Sequence, residues 1–260
     1  MFKKILMLAL TLTATTSLAK IKTETVEYKQ GDQVLEGYLA YNPALKGARP
    51  GVLIVHAWMG LDEYTKRRAR ELAGLGYVAF AADIYGKGIR PKNADEAGKL
   101  ATEYRSGDRK LLRGRAEAGL DELQKNKMVD KNHLYAIGYC FGGNAVMELA
   151  MTGAPLKAVV TFHGGMDFSK TIADVKNIKA HVLILHGALD PYSPMEQVQT
   201  LEKAMNDNKL DYQVVFYSGT VHSFTDPSAG NDPSKGAAYN PVSDKRSFLA
   251  MTDFLQEMSK

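Results

Sequence analysis

Apolar residues in this chain fall into two kinds of run. Residues 22–30 and 34–42 alternate polar and apolar positions, the period of a strand with one covered face, and they predict an antiparallel opening pair. From Gly51 the pattern changes. Gly51-Val52-Leu53-Ile54-Val55 is apolar almost without interruption, as a strand must be when both faces of its sheet are covered. Similar runs recur at 77–82, 134–139, 158–163, 181–186 and 212–217. Between them, helical patterning predicts helices over about 63–75, 93–104, 108–125, 143–151, 195–206 and 243–257. Strand and helix in alternation build a mostly parallel α/β sheet with helices on both faces. No repeat, linker or low-complexity run divides the chain. Its longest irregular segment, 224–241, is rich in Asp, Pro, Gly and Ser, and loops of that length in compact domains often flank a site.

The first residues break the pattern. Met1-Phe2-Lys3-Lys4 leads into the apolar run Ile5-Leu6-Met7-Leu8-Ala9-Leu10, which ends in Ser17-Leu18-Ala19 before Lys20. This is the layout of a secretory signal peptide cut after Ala19, so residues 1–19 are expected to be removed and residues 20–260 to form one exported domain, periplasmic or secreted. The apolar core is short and diluted by Thr11, Thr13, Thr15 and Thr16, which argues against a membrane anchor. Losing Lys3 and Lys4 lowers the formal charge from +4 by two to +2, so most of the basicity belongs to the leader. The basic clusters 66–70 and 109–115 lie on predicted helices without interleaved aromatics, the pattern of solvated helix faces rather than of a nucleic-acid surface. No nucleic-acid partner, cofactor or metal is expected.

Chemistry concentrates at one position. Cys140 is the only cysteine, so no disulfide can form within the chain, and a lone thiol in an oxidising compartment is either inert or kept for reactivity. It stands in Gly138-Tyr139-Cys140-Phe141-Gly142, between a predicted strand and a predicted helix. A nucleophile in a strand-to-helix turn needs glycine on either side, because a side chain there would strike neighbouring backbone. The following helix aims its positive end at the sulfur and favours thiolate.

The six histidines separate by position, since sites in open α/β sheets lie off the carboxyl ends of the strands. His133 and His181 sit at strand starts, whereas His56, His163, His186 and His222 sit at or beyond strand ends. Only His222 follows both Cys140 and a suitable carboxylate, Asp190, in a strand-exit turn. The chain order Cys140, Asp190, His222 is that of nucleophile, acid and base in the α/β-hydrolase fold. In that reading Cys140 attacks an acyl carbon, His222 shuttles its proton and Asp190 orients the imidazole. The oxyanion would take the backbone N–H of Phe141 and one from the loop near Ala57 or Trp58. The alternative role for Asp190 is a turn-former, and the alternative for the four strand-end histidines is a metal site, although no two have helical ligand spacing.

With these residues in hand, the chain resembles the dienelactone hydrolase family over essentially its whole mature length. The matching stretches are Val55-His56-Ala57-Trp58-Met59-Gly60, Gly76-Tyr77-Val78-Ala79, Ala82-Asp83-Ile84-Tyr85-Gly86, Gly138–Gly143, His186-Gly187 through Asp190, and His222-Ser223-Phe224. The resemblance implies a single-domain α/β-hydrolase fold, a Cys140–His222–Asp190 triad, and oxyanion N–H groups from Phe141 and Trp58. Two departures accompany it. Members of the family carry an activating glutamate where this chain has Ala57. Members that bind dienelactone clamp its carboxylate with two arginines, where this chain has Lys87 and Asp226. Tyr85, Lys87, Trp58 and Phe224 are the expected pocket walls. The expected activity is hydrolysis of a small ester, lactone or thioester. The rival classes are a ligand-binding protein on a hydrolase fold, marked by Ala57, and a redox thiol that would need an external partner.

Overall fold

The computed structural model describes residues 20–259, so the expected signal peptide lies outside the described residues. Eight strands form one sheet in the order β1-β2-β4-β3-β5-β6-β7-β8. β1 (Lys22–Gln30) and β2 (Gln33–Tyr41) are the antiparallel opening pair, and β2 also runs antiparallel to β4 (Val78–Ala82). The pairings of β4, β3 (Arg49–Val55), β5 (Val129–Tyr139), β6 (Ala158–Phe162), β7 (His181–Gly187) and β8 (Tyr212–Tyr217) are all parallel.

The continuous apolar strands are explained by the two layers that cover them. Leu53 and Val55 of β3 pack into one core with α2 (Ala94–Arg105), α3 (Lys110–Lys125), α4 (Phe141–Met151) and α5 (Met195–Asp207). Val52 and Ile54, pointing the other way, join a second core with α1 (Glu63–Gly74) and α6 (Pro241–Glu257). Each alternate side chain therefore leaves water on one face or the other.

Differences from the sequence reading sit at element ends. β5 begins five residues before the apolar run, because the polar stretch Asp130–His133 still belongs to the strand across an irregularity opposite Pro50 and Gly51. The segment 224–241 is ordered by two short 3₁₀ turns, Pro227–Ala229 and Pro233–Lys235, and by a bridge between His222 and Ala237. The basic clusters are not wholly solvated. Arg68 on α1, Arg109 beside α3 and Arg115 on α3 are buried, and Arg68 is ion-paired with Asp244 and Glu71. Helical spacing turned these residues inward, where long side chains cover apolar surface while their charged heads find partners. Among the described residues, no helix is long and apolar enough to cross a membrane.

Candidate active site

β5 delivers Cys140 into a bend that only its neighbours permit. A Cβ on Gly138 would lie 2.0 Å from the carbonyl oxygen of Gly142, and one on Gly142 would lie 2.2 Å from that of Val55. Cys140 itself has φ 53° and ψ −114°, a strained conformation that lifts the sulfur off the sheet at the start of α4. The turn is held by Cys140 N–H donating to the Phe162 carbonyl at 3.0 Å, and by Gly143 N–H donating to the Cys140 carbonyl at 3.0 Å.

Three strand ends then converge. Nε2 of His222, in the loop after β8, lies 3.1 Å from Cys140 Sγ, and Nδ1 lies 2.7 Å from Asp190 Oδ2, in the turn after β7. The other oxygen of Asp190 accepts from the N–H groups of Tyr192 at 2.9 Å and Ser193 at 3.2 Å, which fixes the carboxylate in place. Burial by itself would push the Cys140 thiol up, but the charge and hydrogen bond of His222, with the Phe141 N–H, hold it below its ordinary value. Burial would likewise depress His222, yet Cys140 and Asp190 raise it to about 10. Both directions favour a thiolate–imidazolium pair at neutral pH.

The loop after β3 carries the second expected N–H donor, and His56 sets its orientation. The Ala57 carbonyl can only accept, so His56 Nδ1 donates to it at 2.7 Å; Nε2 then accepts from the Ile84 N–H at 3.2 Å. These partners fix the neutral Nδ1–H tautomer, and burial, which lowers the pKa of this ring, agrees with it. The Gly60 N–H also donates to the Ala57 carbonyl, at 3.1 Å. In a trans peptide the C=O and the following N–H point oppositely, so pinning the Ala57 carbonyl also aims the Trp58 N–H. The position of His56 at a strand end was visible in the sequence. Its partners depend on the return of β4 beside β3, which spacing does not reveal.

Trp58, Cys140, Phe141, Tyr192, His222 and Arg105 line a cavity of about 220 Å³. Three expected wall residues do not line it. Tyr85 is buried against His56 and Phe141 and donates its hydroxyl to the Trp58 carbonyl at 2.9 Å, so it braces the loop from behind. Lys87 lies on the surface, ion-paired with Glu27 of β1. Phe224 is fully buried against His163 and Tyr217, because the loop after His222 turns inward there. Asp226, at the other carboxylate-clamp position, caps a 3₁₀ turn through Ser228 N–H. Arg105, Tyr192 and Ala237 were missed; each arrives from a separate helix end or loop.

A further strand-end histidine braces the site from behind. His163 stands edge-on to His222 with ring centroids 5.3 Å apart, and its Nε2 lies 2.8 Å from Thr225 Oγ1. Burial first, and then the nearby His222, hold it well below its ordinary value, so it is neutral. The Thr225 hydroxyl also meets Tyr64, and its carbonyl accepts from Arg68, tying the His222 loop to α1. No group of three or more His, Cys, Asp or Glu among the described residues could hold a metal ion.

Comparison with known proteins adds four likenesses. The profile of the dienelactone hydrolase family matches residues 35–259. "Protein usf" of Aquifex pyrophilus is 29% identical over 205 residues, covering 77% of this chain and 86% of that protein. A Bradyrhizobium protein named "Probable 2-oxo-3-(5-oxofuran-2-ylidene)propanoate lactonase" is 29% identical over 201 residues, covering 73% of this chain and 79% of its own. Among solved structures, a dienelactone hydrolase-like promiscuous phosphotriesterase, P91, from metagenomic libraries superposes with a TM-score of 0.86 at 38% identity, covering 92% of this chain and 98% of that one.

Proposed function

Because this chain belongs to the dienelactone hydrolase family, we propose that it is an exported cysteine hydrolase cleaving a small ester, lactone or thioester through an acyl-enzyme on Cys140. One observation carries the reading: an unbroken chain from Cys140 Sγ to His222 Nε2 at 3.1 Å and from His222 Nδ1 to Asp190 Oδ2 at 2.7 Å, opening on a cavity. The Cys140 thiolate attacks the acyl carbon, and the carbonyl electrons move onto oxygen, where the N–H groups of Phe141 and Trp58 receive the charge. Collapse expels the leaving group, and the His222 imidazolium gives it the proton from Nε2. Water then loses a proton to the neutral Nε2 and attacks the thioester, and the second collapse releases acid and restores the thiolate–imidazolium pair. Asp190 keeps the imidazole in the working tautomer throughout.

The signal-like residues 1–19 support export, and the lone thiol fits it, since no second cysteine can trap it in a disulfide. Ala57, in place of an activating carboxylate, favours the rival reading of a binding protein. The lowered thiol and raised imidazole favour catalysis, because the pair supplies the thiolate without that carboxylate.

The test is turnover of p-nitrophenyl acetate by the chain beginning at Lys20. Steady-state release is expected, with Cys140→Ala abolishing it and His222→Ala reducing it at least about a hundredfold. Unchanged turnover in Cys140→Ala would sink the proposal. Stoichiometric labelling of Cys140 without turnover would support the binding reading.

A further inference from the structure

The His222 imidazole has neighbours against its ring as well as at its nitrogens. Tyr192 and His163 both stand edge-on to it, each with ring centroids 5.3 Å away. Tyr192 is exposed at the cavity, whereas His163, directly after β6, is buried. Two features of His163 oppose stability. Its φ of 40° lies in the left-handed region that a histidine seldom occupies, and its Nδ1 is buried with no hydrogen-bond partner among the described residues. Backbone strain and an orphaned polar atom recur where a residue serves a site rather than the fold.

The other nitrogen of His163 ends a chain of hydrogen bonds whose direction is fixed. Arg68 can only donate, so the Tyr64 hydroxyl oxygen accepts from its Nε at 3.2 Å. Tyr64 O–H then donates to Thr225 Oγ1 at 2.6 Å, and Thr225 O–H donates to His163 Nε2 at 2.8 Å. The far end is anchored. Arg68 is buried, ion-paired with Glu71 of α1 and Asp244 of α6, and also donates to the Thr225 carbonyl at 3.3 Å. Thr225 is itself fully buried, three residues beyond His222. The chain thus runs from the ion pairs of α1 and α6 to the ring that leans on His222.

Resting on the hydrolase reading above, we propose that His163 is a positioning residue for deacylation: held by Thr225, Tyr64 and Arg68, its ring keeps His222 Nε2 aimed at the acyl carbon once the sulfur is acylated. In the resting site His222 is fixed at both nitrogens, by Cys140 Sγ and by Asp190 Oδ2. Acylation neutralises the sulfur and removes the first anchor. A single hydrogen bond at Nδ1 lets the ring tilt, yet the attacking water must lose its proton to Nε2 in a defined place. The edge of a neutral ring supplies the missing constraint without repelling the imidazolium as it forms again.

Thr225→Val keeps the shape of the side chain and cuts the hydrogen-bond chain, while Thr225→Ser keeps the hydroxyl. On the chain beginning at Lys20, release of p-nitrophenol from p-nitrophenyl acetate with enzyme in excess reads acylation. Decay of the acetyl-enzyme, followed by rapid quench and intact mass, reads deacylation. Thr225→Val should slow deacylation about tenfold or more and change acylation and Cys140 alkylation by less than about twofold. Thr225→Ser should keep the parent rates. His163→Phe should match Thr225→Val, and the double variant should be no slower than either single variant, since members of one chain do not add. Equal losses in both steps, or no loss in either, would overturn the proposal, because a merely structural role does not distinguish the steps. The hydrolase reading fails separately, if the parent releases no p-nitrophenol. Protein carbamidomethylated at Cys140, in which the sulfur anchor is already gone, then decides the matter by NMR. The downfield His222 Nδ1–H resonance, identified by its loss in His222→Ala, should be sharp in the parent and broadened in Thr225→Val. Identical line widths would overturn the proposal.

Discussion

Both nitrogens of His222 face groups that stabilise its cation, and from this follows a pH profile. Burial of the ring opposes protonation, but the Cys140 sulfur and the Asp190 carboxylate outweigh it and raise its pKa to about 10, while the same ion pair lowers that of Cys140. As pH falls below the lowered thiol value the nucleophile is lost. As pH rises through about 10, the imidazolium that protonates the leaving group in the proposed reaction is lost. Ester hydrolysis should therefore show a plateau spanning neutral pH, and alkylation of Cys140 by iodoacetamide should already be saturated there. In His222→Ala the thiol keeps its burial and loses its cation, so alkylation should require pH above the ordinary thiol value of about 8.5. A wild-type alkylation curve that rises only above pH 8 would contradict the preformed ion pair. His56 makes a separate prediction. Alkylation generates no oxyanion, whereas acylation does, so His56→Ala, which frees the Ala57–Trp58 peptide, should lower kcat on esters by about ten- to a hundredfold. The alkylation rate should change little, and His56→Asn, which retains an N–H donor, should recover part of the loss.

At the scale of elements, the elbow is the place where local sequence and tertiary packing agree most tightly. A Cβ at position 142 would meet the Val55 carbonyl oxygen at 2.2 Å, so Gly142→Ala must push α4 away from the end of β3. Overpacking of this kind costs about 1–3 kcal/mol, which should lower Tm by roughly 2–12 °C for a domain of this size and reduce turnover along with it. An unchanged Tm and rate would show that the turn has slack that its geometry denies. The elbow was legible in advance because one residue carries the proposed chemistry and its immediate neighbours carry the sterics. The strands were legible for a related reason: burial on both faces leaves an uninterrupted apolar run, as in Val52-Leu53-Ile54-Val55. What local pattern could not supply was where separate helix ends meet. Arg105 reads as one more charged residue in the last turn of α2, and only the meeting of that helix end with the start of α4, where Tyr104 stands edge-on to Phe141, brings it to the wall of the Cys140 cavity. Phe224 misled for the opposite reason, since adjacency to His222 suggested a pocket wall while the chain turned it into the core.

For the whole molecule, the single cysteine decides how stability and redox sensitivity are related. Two cores cover the sheet on both faces, and the only thiol lies at the site, so no disulfide contributes to the fold. Its thermal transition should therefore not shift on adding dithiothreitol, unlike a disulfide-stapled exported protein, which loses about 2–5 kcal/mol on reduction. Activity should behave in the contrary way. A thiolate held in an accessible cavity is the form that peroxide oxidises, so one equivalent of sulfenic acid at Cys140 should abolish turnover while leaving Tm nearly unchanged. With no resolving cysteine in the chain, recovery should require an added small thiol. Calorimetry and rate measurements on the same oxidised sample separate these effects. Loss of activity accompanied by a large fall in Tm would mean that Cys140 serves the fold, which its place at the edge of the first core, lining a cavity, argues against.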